Sequence, residues 1–196
     1  MRRTQHPIEV ESYRILRSKV NTSALPAYTR AVTERVIHTS ADLDYATDLV
    51  CDEDALRAGR RALATGGSLV VDVRMLAAGV TSRDAVVALD LAVSPPEGLT
   101  RAAAGIRAAA AAYPDGAVWA VGNAPTALRE LIRIAATGVV RPALVIGLPV
   151  GFVDAAQAKA ALRDSGLPAL SNRSAKGGAA VAAAAVNALL YLEPVR

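Results

Sequence analysis

The chain has a single cysteine, Cys51, in 196 residues. An intrachain disulfide is therefore impossible, and a reducing setting such as the cytoplasm is expected. Phe, Trp and Tyr together supply 4% of the residues. The core must then be built from Ala, Val and Leu, which favours closely packed helices. His6, His38 and Cys51 stand too far apart for a zinc-binding spacing, and no metal site is expected. No Gly-x-Gly-x-x-Gly turn, Gly-x-x-x-x-Gly-Lys-Ser/Thr loop or Gly-x-Ser-x-Gly elbow occurs. Nicotinamide, ATP and a serine nucleophile are disfavoured accordingly. The least polar run, Gly178 to Leu192, falls short of the ~20 residues of a bilayer helix and is broken by Asn187. It reads as a core helix, and no membrane association is expected. After Arg2 and Arg3, His6, Pro7 and Glu9 interrupt the apolar stretch that a secretory signal would need.

What is present is an apolar fraction of 53% and a net charge of +4. The length fits one domain, 1–196. The basic residues are dispersed rather than interleaved with aromatics, which speaks against nucleic acid, although the excess could help to hold a ligand rich in carboxylates. Periodicity and punctuation predict helices from Ile8 to about Val20, from Pro26 to His38 and, after an irregular stretch Thr39 to Val50, from Asp52 to Thr65. A strand Ser68 to Val71, a short helix Val73 to Ala78 and a strand Ala85 to Val93 follow. The second half alternates clearly: helix Thr100 to Tyr113, strand Ala117 to Val121, helix Pro125 to Thr137, strand Ala143 to Ile146, helix Asp154 to Ser165, strand Ala169 to Leu170 and the final helix. Apolar strands separated by helices predict an α/β, Rossmann-like three-layer fold with a mainly parallel central sheet.

In such a fold ligands bind beyond the carboxyl ends of the strands. Three turns there are rich in glycine: Gly122-Asn123-Ala124-Pro125-Thr126, Gly147-Leu148-Pro149-Val150-Gly151-Phe152 and Lys176-Gly177-Gly178. Singly, each fits an ordinary capped turn, with Asn123 as cap and Pro125 in the first helical turn. Together, each before a helix start with unpaired N–H groups, they suit a broad anionic ligand. His38 ends the second helix with Glu34 one turn before it, and both features favour an imidazolium suited to general acid catalysis. A cap histidine without catalytic consequence fits the same positions. Ser12 shares a face with Ile8, Ile15 and Leu16, so its hydroxyl is expected to point inward, either to the carbonyl one turn back or to a ligand.

The segments Pro7-Ile8-Glu9-Val10-Glu11-Ser12-Tyr13-Arg14-Ile15, Arg35-Val36-Ile37-His38-Thr39, Gly122 to Leu128, Gly147 to Val153 and Lys176-Gly177-Gly178, taken in order, resemble the precorrin-8X methylmutase (cobalt-precorrin isomerase) family. The resemblance implies a homodimer that binds precorrin-8X or cobalt-precorrin-8 near the subunit interface. It also implies a 1,5-sigmatropic methyl shift on ring C without an external cofactor. His38 stands at the family's catalytic histidine, thought to donate to the ring C nitrogen, and Ser12 at a serine that contacts substrate. Substrate contacts are expected further from Thr39, Gly122, Asn123, Thr126, Gly147, Gly151, Lys176, Gly177 and Gly178. Ser174-Ala175, Ala179 and Arg74 depart from the family pattern, with Arg173 and Lys176 as candidate replacements for a lost cation. A corrinoid carrier that has lost catalysis, or an unrelated nucleotide-binding protein, are the competing readings.

Overall fold

Short runs of β-branched and aliphatic residues, each followed by a helix, lie side by side as a six-stranded sheet in the computed structural model of the protein. It describes residues 6–92 and 94–192; the sequence reading of Arg2 and Arg3, and the Val93 end of one expected strand, fall outside them. In chain order the elements are α1 (Pro7–Lys19), α2 (Ala27–Ser40), α3 (Tyr45–Asp48), β1 (Leu49–Cys51), α4 (Glu53–Ala64), β2 (Leu69–Val71), α5 (Arg74–Gly79), β3 (Val86–Val87), a 3-10 turn (Ala88–Leu91) and α6 (Arg101–Ala112). There follow β4 (Val118–Val121), α7 (Pro125–Ala136), β5 (Leu144–Gly147), α8 (Ala155–Asp164), β6 (Ala169–Asn172) and α9 (Ala179–Tyr191). The strand order is β1-β6-β5-β4-β2-β3, parallel throughout except for β1 against β6.

The expected three layers are present, and alternation along each strand shows why. Leu69, Val71, Val118, Ala120, Leu144 and Ile146 feed one core with α2, α4 and α9. Val70, Trp119, Val121 and Val145 face the other way, onto α6, α7 and α8. Both faces are buried, as a parallel sheet requires. The alanine-rich α9 is buried on nearly every side, which its small side chains permit. No helix among the described residues is long and apolar enough to cross a membrane.

Three local readings need correction. At the end of the stretch read as irregular, Thr39 to Val50, and one residue beyond it, Leu49–Cys51 forms the antiparallel edge strand β1, with Leu49 opposite Asn172; three residues carry too little periodicity to be seen. The strand expected over Ala85 to Val93 is only Val86–Val87, because Leu89 N–H donates to the Asp72 carbonyl and the chain winds into the 3-10 turn. α2 also runs two residues beyond His38 and ends at Ala41, whose left-handed conformation sends its N–H to the Ile37 carbonyl.

α1 docks through polar contacts rather than the apolar face expected of it. Leu16 and Glu9 are buried, whereas Ile8 is 74% and Ile15 41% exposed. Glu9 pairs with Arg35, and Glu34 accepts from Arg17 (2.6 Å), Arg30 (3.0 Å) and Thr22 (2.5 Å). Burial pushes the Glu34 carboxyl up, but hydrogen bonds from Arg17, Thr22 and Arg30 outweigh it and hold the group at about 2. A depressed carboxylate stabilises the fold fully above its ordinary value of 4.5 and loses that contribution as pH falls towards 2. Denaturant titrations should therefore show Glu34→Gln less stable by about 2 kcal/mol at neutral pH, with the gap closing between about pH 4.5 and 2. A pH-independent gap would contradict this account.

Candidate active site

The start of β1 lies opposite the end of β6, so α3 and the segment from Ala41 onward sit at the carboxyl end of the parallel strands. The last turn of α2 delivers His38 to the same end. There the Ser12 Oγ lies 2.7 Å from His38 Nδ1, and the Tyr13 ring stacks on the imidazole at 5.0 Å between centroids and 10° between planes. Arg17 covers the Tyr13 ring in turn. A half-buried imidazole is thus fixed by a hydroxyl at one nitrogen and by an aromatic plane. Glu34, expected one turn before it as a charge partner, accepts instead from Arg17, Arg30 and Thr22. Those cations and the hydroxyl converge on its buried side of α2. Ser12 does approach a functional group, yet not by facing the core, since Ile8 and Ile15 on its face are exposed.

The glycine turns meet at this end too. Gly178 N–H donates to the Leu148 carbonyl and Gly151 N–H to the Ala175 carbonyl, joining the turn after β5 to the turn before α9. Gly122 lies against the second of these, because a Cβ there would stand 3.0 Å from the Gly178 carbonyl oxygen and 2.9 Å from Ala179 Cα. Gly147 fills a different need: it ends β5 where a side chain would strike Leu162 and Leu128. Thr39 and Asn123 are exposed. Thr126, also exposed, shares a hydrogen bond of 2.9 Å with Thr100 at the start of α6.

Two features of the charge around these turns were not foreseen. In the turn before α7, the N–H groups of Gly122, Asn123 and Ala124 all donate to the carboxylate of Asp72, at 3.1, 2.7 and 3.1 Å. A buried acid at the end of β2 thus satisfies the turn that leads into α7, and Ala124 rather than Asn123 holds the cap position. Burial raises the Asp72 carboxyl above its ordinary value despite these donors. Lys176, a candidate replacement cation, sends its ammonium to Asp42 (2.7 Å) and Asp44 (2.6 Å), which raise its pKa. Arg173 bonds the Thr47 carbonyl through its side chain, Ser174 bonds Asp48, and Arg74 pairs with Asp90.

Sequence reasoning missed Asp72, Tyr13 and a cluster of the buried Lys159 and Asn172 with the half-buried Asp48. A cavity of about 360 Å³ between α1, α2 and the end of α9 includes Tyr13, Arg17, Glu34, Arg35 and Tyr191. Its acids and arginines largely satisfy one another. Among the described residues no group of His, Cys, Asp and Glu is placed to hold a metal ion.

The family model for precorrin-8X methylmutase (CbiC) matches residues 7–192. The chain belongs to the precorrin-8X methylmutase family. Among its relatives are a cobalt-precorrin-8 methylmutase of Synechocystis sp., 36% identical over 96% of both chains, and a precorrin-8X methylmutase of Pseudomonas aeruginosa, 38% identical over 91% of both. The crystal structure of precorrin-8x methyl mutase from Thermus thermophilus superposes with a TM-score of 0.83 at 35% identity, covering 94% of this chain and 96% of that one. As a precorrin-8X methylmutase family member the chain is an enzyme, an isomerase of cobalamin biosynthesis. The matched range spans all five sequence segments that pointed to this family.

Proposed function

We propose that the protein moves a methyl group from carbon 11 to carbon 12 on ring C of its substrate, converting precorrin-8X to hydrogenobyrinate or cobalt-precorrin-8 to cobyrinate. The observation that carries this reading is the Ser12–His38 pair, 2.7 Å apart under the Tyr13 ring at the carboxyl end of the sheet. When protonated, the imidazole donates Nδ1–H to Ser12 Oγ and has Nε2–H as its second donor. A hydrogen bond from there to the ring C nitrogen draws electron density from the π-system. The bond from carbon 11 to the methyl group then breaks as the bond to carbon 12 forms. Substrate and product are isomers, so no atom is gained and no external cofactor is required. Fixed donors of this kind stabilise developing charge without reorganisation.

The surroundings suit a flat macrocycle rimmed with carboxylates. Gly151 and Gly178 leave room for a ligand to approach the backbone, Gly122 and Gly177 let the turns behind them pack closely, and Thr39, Asn123 and Thr126 are exposed polar groups of the same segments. Gly147 and Lys176 then serve by shaping the turns rather than by touching substrate. The exposed Ile8 and Ile15 beside Ser12 fit a homodimer whose second copy covers the site, and we place the enzyme in the cytoplasm.

Anaerobic incubation with precorrin-8X and with cobalt-precorrin-8, followed by visible spectroscopy, tests the proposal. Conversion to the corrin spectrum is expected with at least one of them, and the faster substrate identifies the pathway branch. A corrinoid carrier of the same fold is the second reading, favoured by the withdrawal of Lys176 onto Asp42 and Asp44. Stoichiometric binding with an unchanged spectrum would establish the carrier and reject the isomerase.

A further inference from the structure

Lys159 is a lysine with no solvent exposure at all, in a protein whose proposed chemistry makes no use of it. On α8 it shares the buried face of Ala155, Ala158 and Leu162. Among the described residues its ammonium meets no carboxylate directly. It donates to Asn172 Oδ1 at 2.8 Å and to the Lys176 carbonyl at 2.7 Å, while Asn172 Nδ2 passes on to Asp48 Oδ2 at 2.7 Å. Burying such a cation costs several kcal/mol that an aliphatic side chain of similar volume would avoid. Core filling therefore does not account for it, and what it holds in place does.

What it holds, together with Asn172 Nδ2 at 3.0 Å, is one carbonyl at a junction. The residue that owns this carbonyl, Lys176, reaches with its side chain to Asp42 and Asp44, on the segment that leaves His38 and Thr39. The next residues are Gly177 and Gly178, whose N–H at Gly178 is tied to the turn after β5. The buried amine thus fixes, directly and through Asn172, the peptide at which the His38 segment, the glycine turn and the start of α9 are joined. We propose that Lys159 is a positioning residue, whose ammonium sets the Lys176–Gly178 backbone for substrate binding. This rests on the reading that the glycine turn borders the substrate.

The charge on Lys159 is poised to change in the working range. Burial lowers the ammonium to about 8, opposed by Asp48 from α3 and reinforced by Arg163 on its own helix. Arg163 itself bonds Ser171 Oγ and the Asn172 carbonyl. Lys176, Asp42 and Asp44 complete the charged groups around it. Asp42 and Asp48 are held below the ordinary carboxylate value and Lys176 above the ordinary lysine value. The charge change expected around pH 8 is that of Lys159, and the neutral amine is the weaker donor.

Steady-state kinetics of the full chain and of Lys159→Met, with whichever corrinoid the wild type converts, tests this. Loss of charged hydrogen bonds to the turn should raise KM about tenfold at neutral pH while kcat stays within about twofold. The wild-type KM should climb through about pH 8, and that of Lys159→Met should stay flat. A variant with wild-type KM, or one whose loss falls on kcat alone, overturns the proposal. Should Lys159→Met fail to fold, the wild-type profile decides, since a KM that is level across that range also overturns it. A wild type that converts neither corrinoid defeats the methylmutase reading instead. A spectroscopic binding titration against pH then reads the same turn, with a step near pH 8 supporting the role of Lys159 and a level affinity rejecting it.

Discussion

His38→Ala is expected to lower kcat by about three orders of magnitude and to leave KM within a few-fold of wild type, the range seen when a positioned general acid is lost. The side chain is half-buried, and its removal sacrifices the Ser12 hydrogen bond and the Tyr13 stack. Those two contacts together are worth about 1 to 2 kcal/mol, so the variant should remain folded with a melting temperature only a few degrees lower. Corrinoid binding measured by difference spectroscopy should persist. Turnover close to wild type in a folded His38→Ala protein would remove the histidine from the chemistry and leave electrostatics of the surrounding turns as the source of rate.

The second large effect is on the fold. Gly177 has φ +152, and a Cβ there would stand 2.3 Å from the Leu148 carbonyl oxygen and 2.7 Å from that of Pro149. Both obstacles are backbone, so neither can swing aside. Gly177→Ala should cost about 3 kcal/mol or more and lower the melting temperature by roughly 10 °C. Gly138 provides the control, since its φ is +75 but nothing lies within 4 Å of the missing Cβ. Gly138→Ala should cost only about 1 kcal/mol, the conformational term alone. Equal effects at the two positions, read by calorimetry, would show that the close approach at Gly177 is relieved by movement of the turn after β5.

Much of the architecture was written in the sequence because the second half of the chain obeys simple periodicities. Val118 to Val121 and Leu144 to Gly147 are bounded by helices with clear starts and stops, and each emerged within a residue or two of its expected limits. β1 escaped because Leu49 to Cys51 is too short for a pattern and is stabilised from the far end of the chain by β6. The pairing of Ser12 with His38 also spans different elements, so spacing alone suggested the two residues but not their contact. Charge was the least legible property. Glu34 and Lys176 looked available in one dimension, whereas partners distant in sequence, Arg17 for one and Asp42 and Asp44 for the other, had claimed them. Lys159 did leave a signal, because it falls at helical spacing with Ala155, Ala158 and Leu162, where a lysine is out of place unless something buried needs its proton.

The contact between the first strand and the last has a consequence for how the protein is made. Leu49 pairs with Asn172, and α2, which carries His38, packs against α9. These contacts close loops of well over a hundred residues, so they belong to the late, slow events of folding. During synthesis the segment bearing Ser12 and His38 leaves the ribosome before α9, and until α9 follows, α2 lacks the helix it packs against most extensively, with α1, α3 and α4 as earlier partners. An arrested chain stopped before α9 would expose the apolar side of α2, with Val32, Val36 and Ile37, and would be a substrate for chaperones rather than a partly active enzyme.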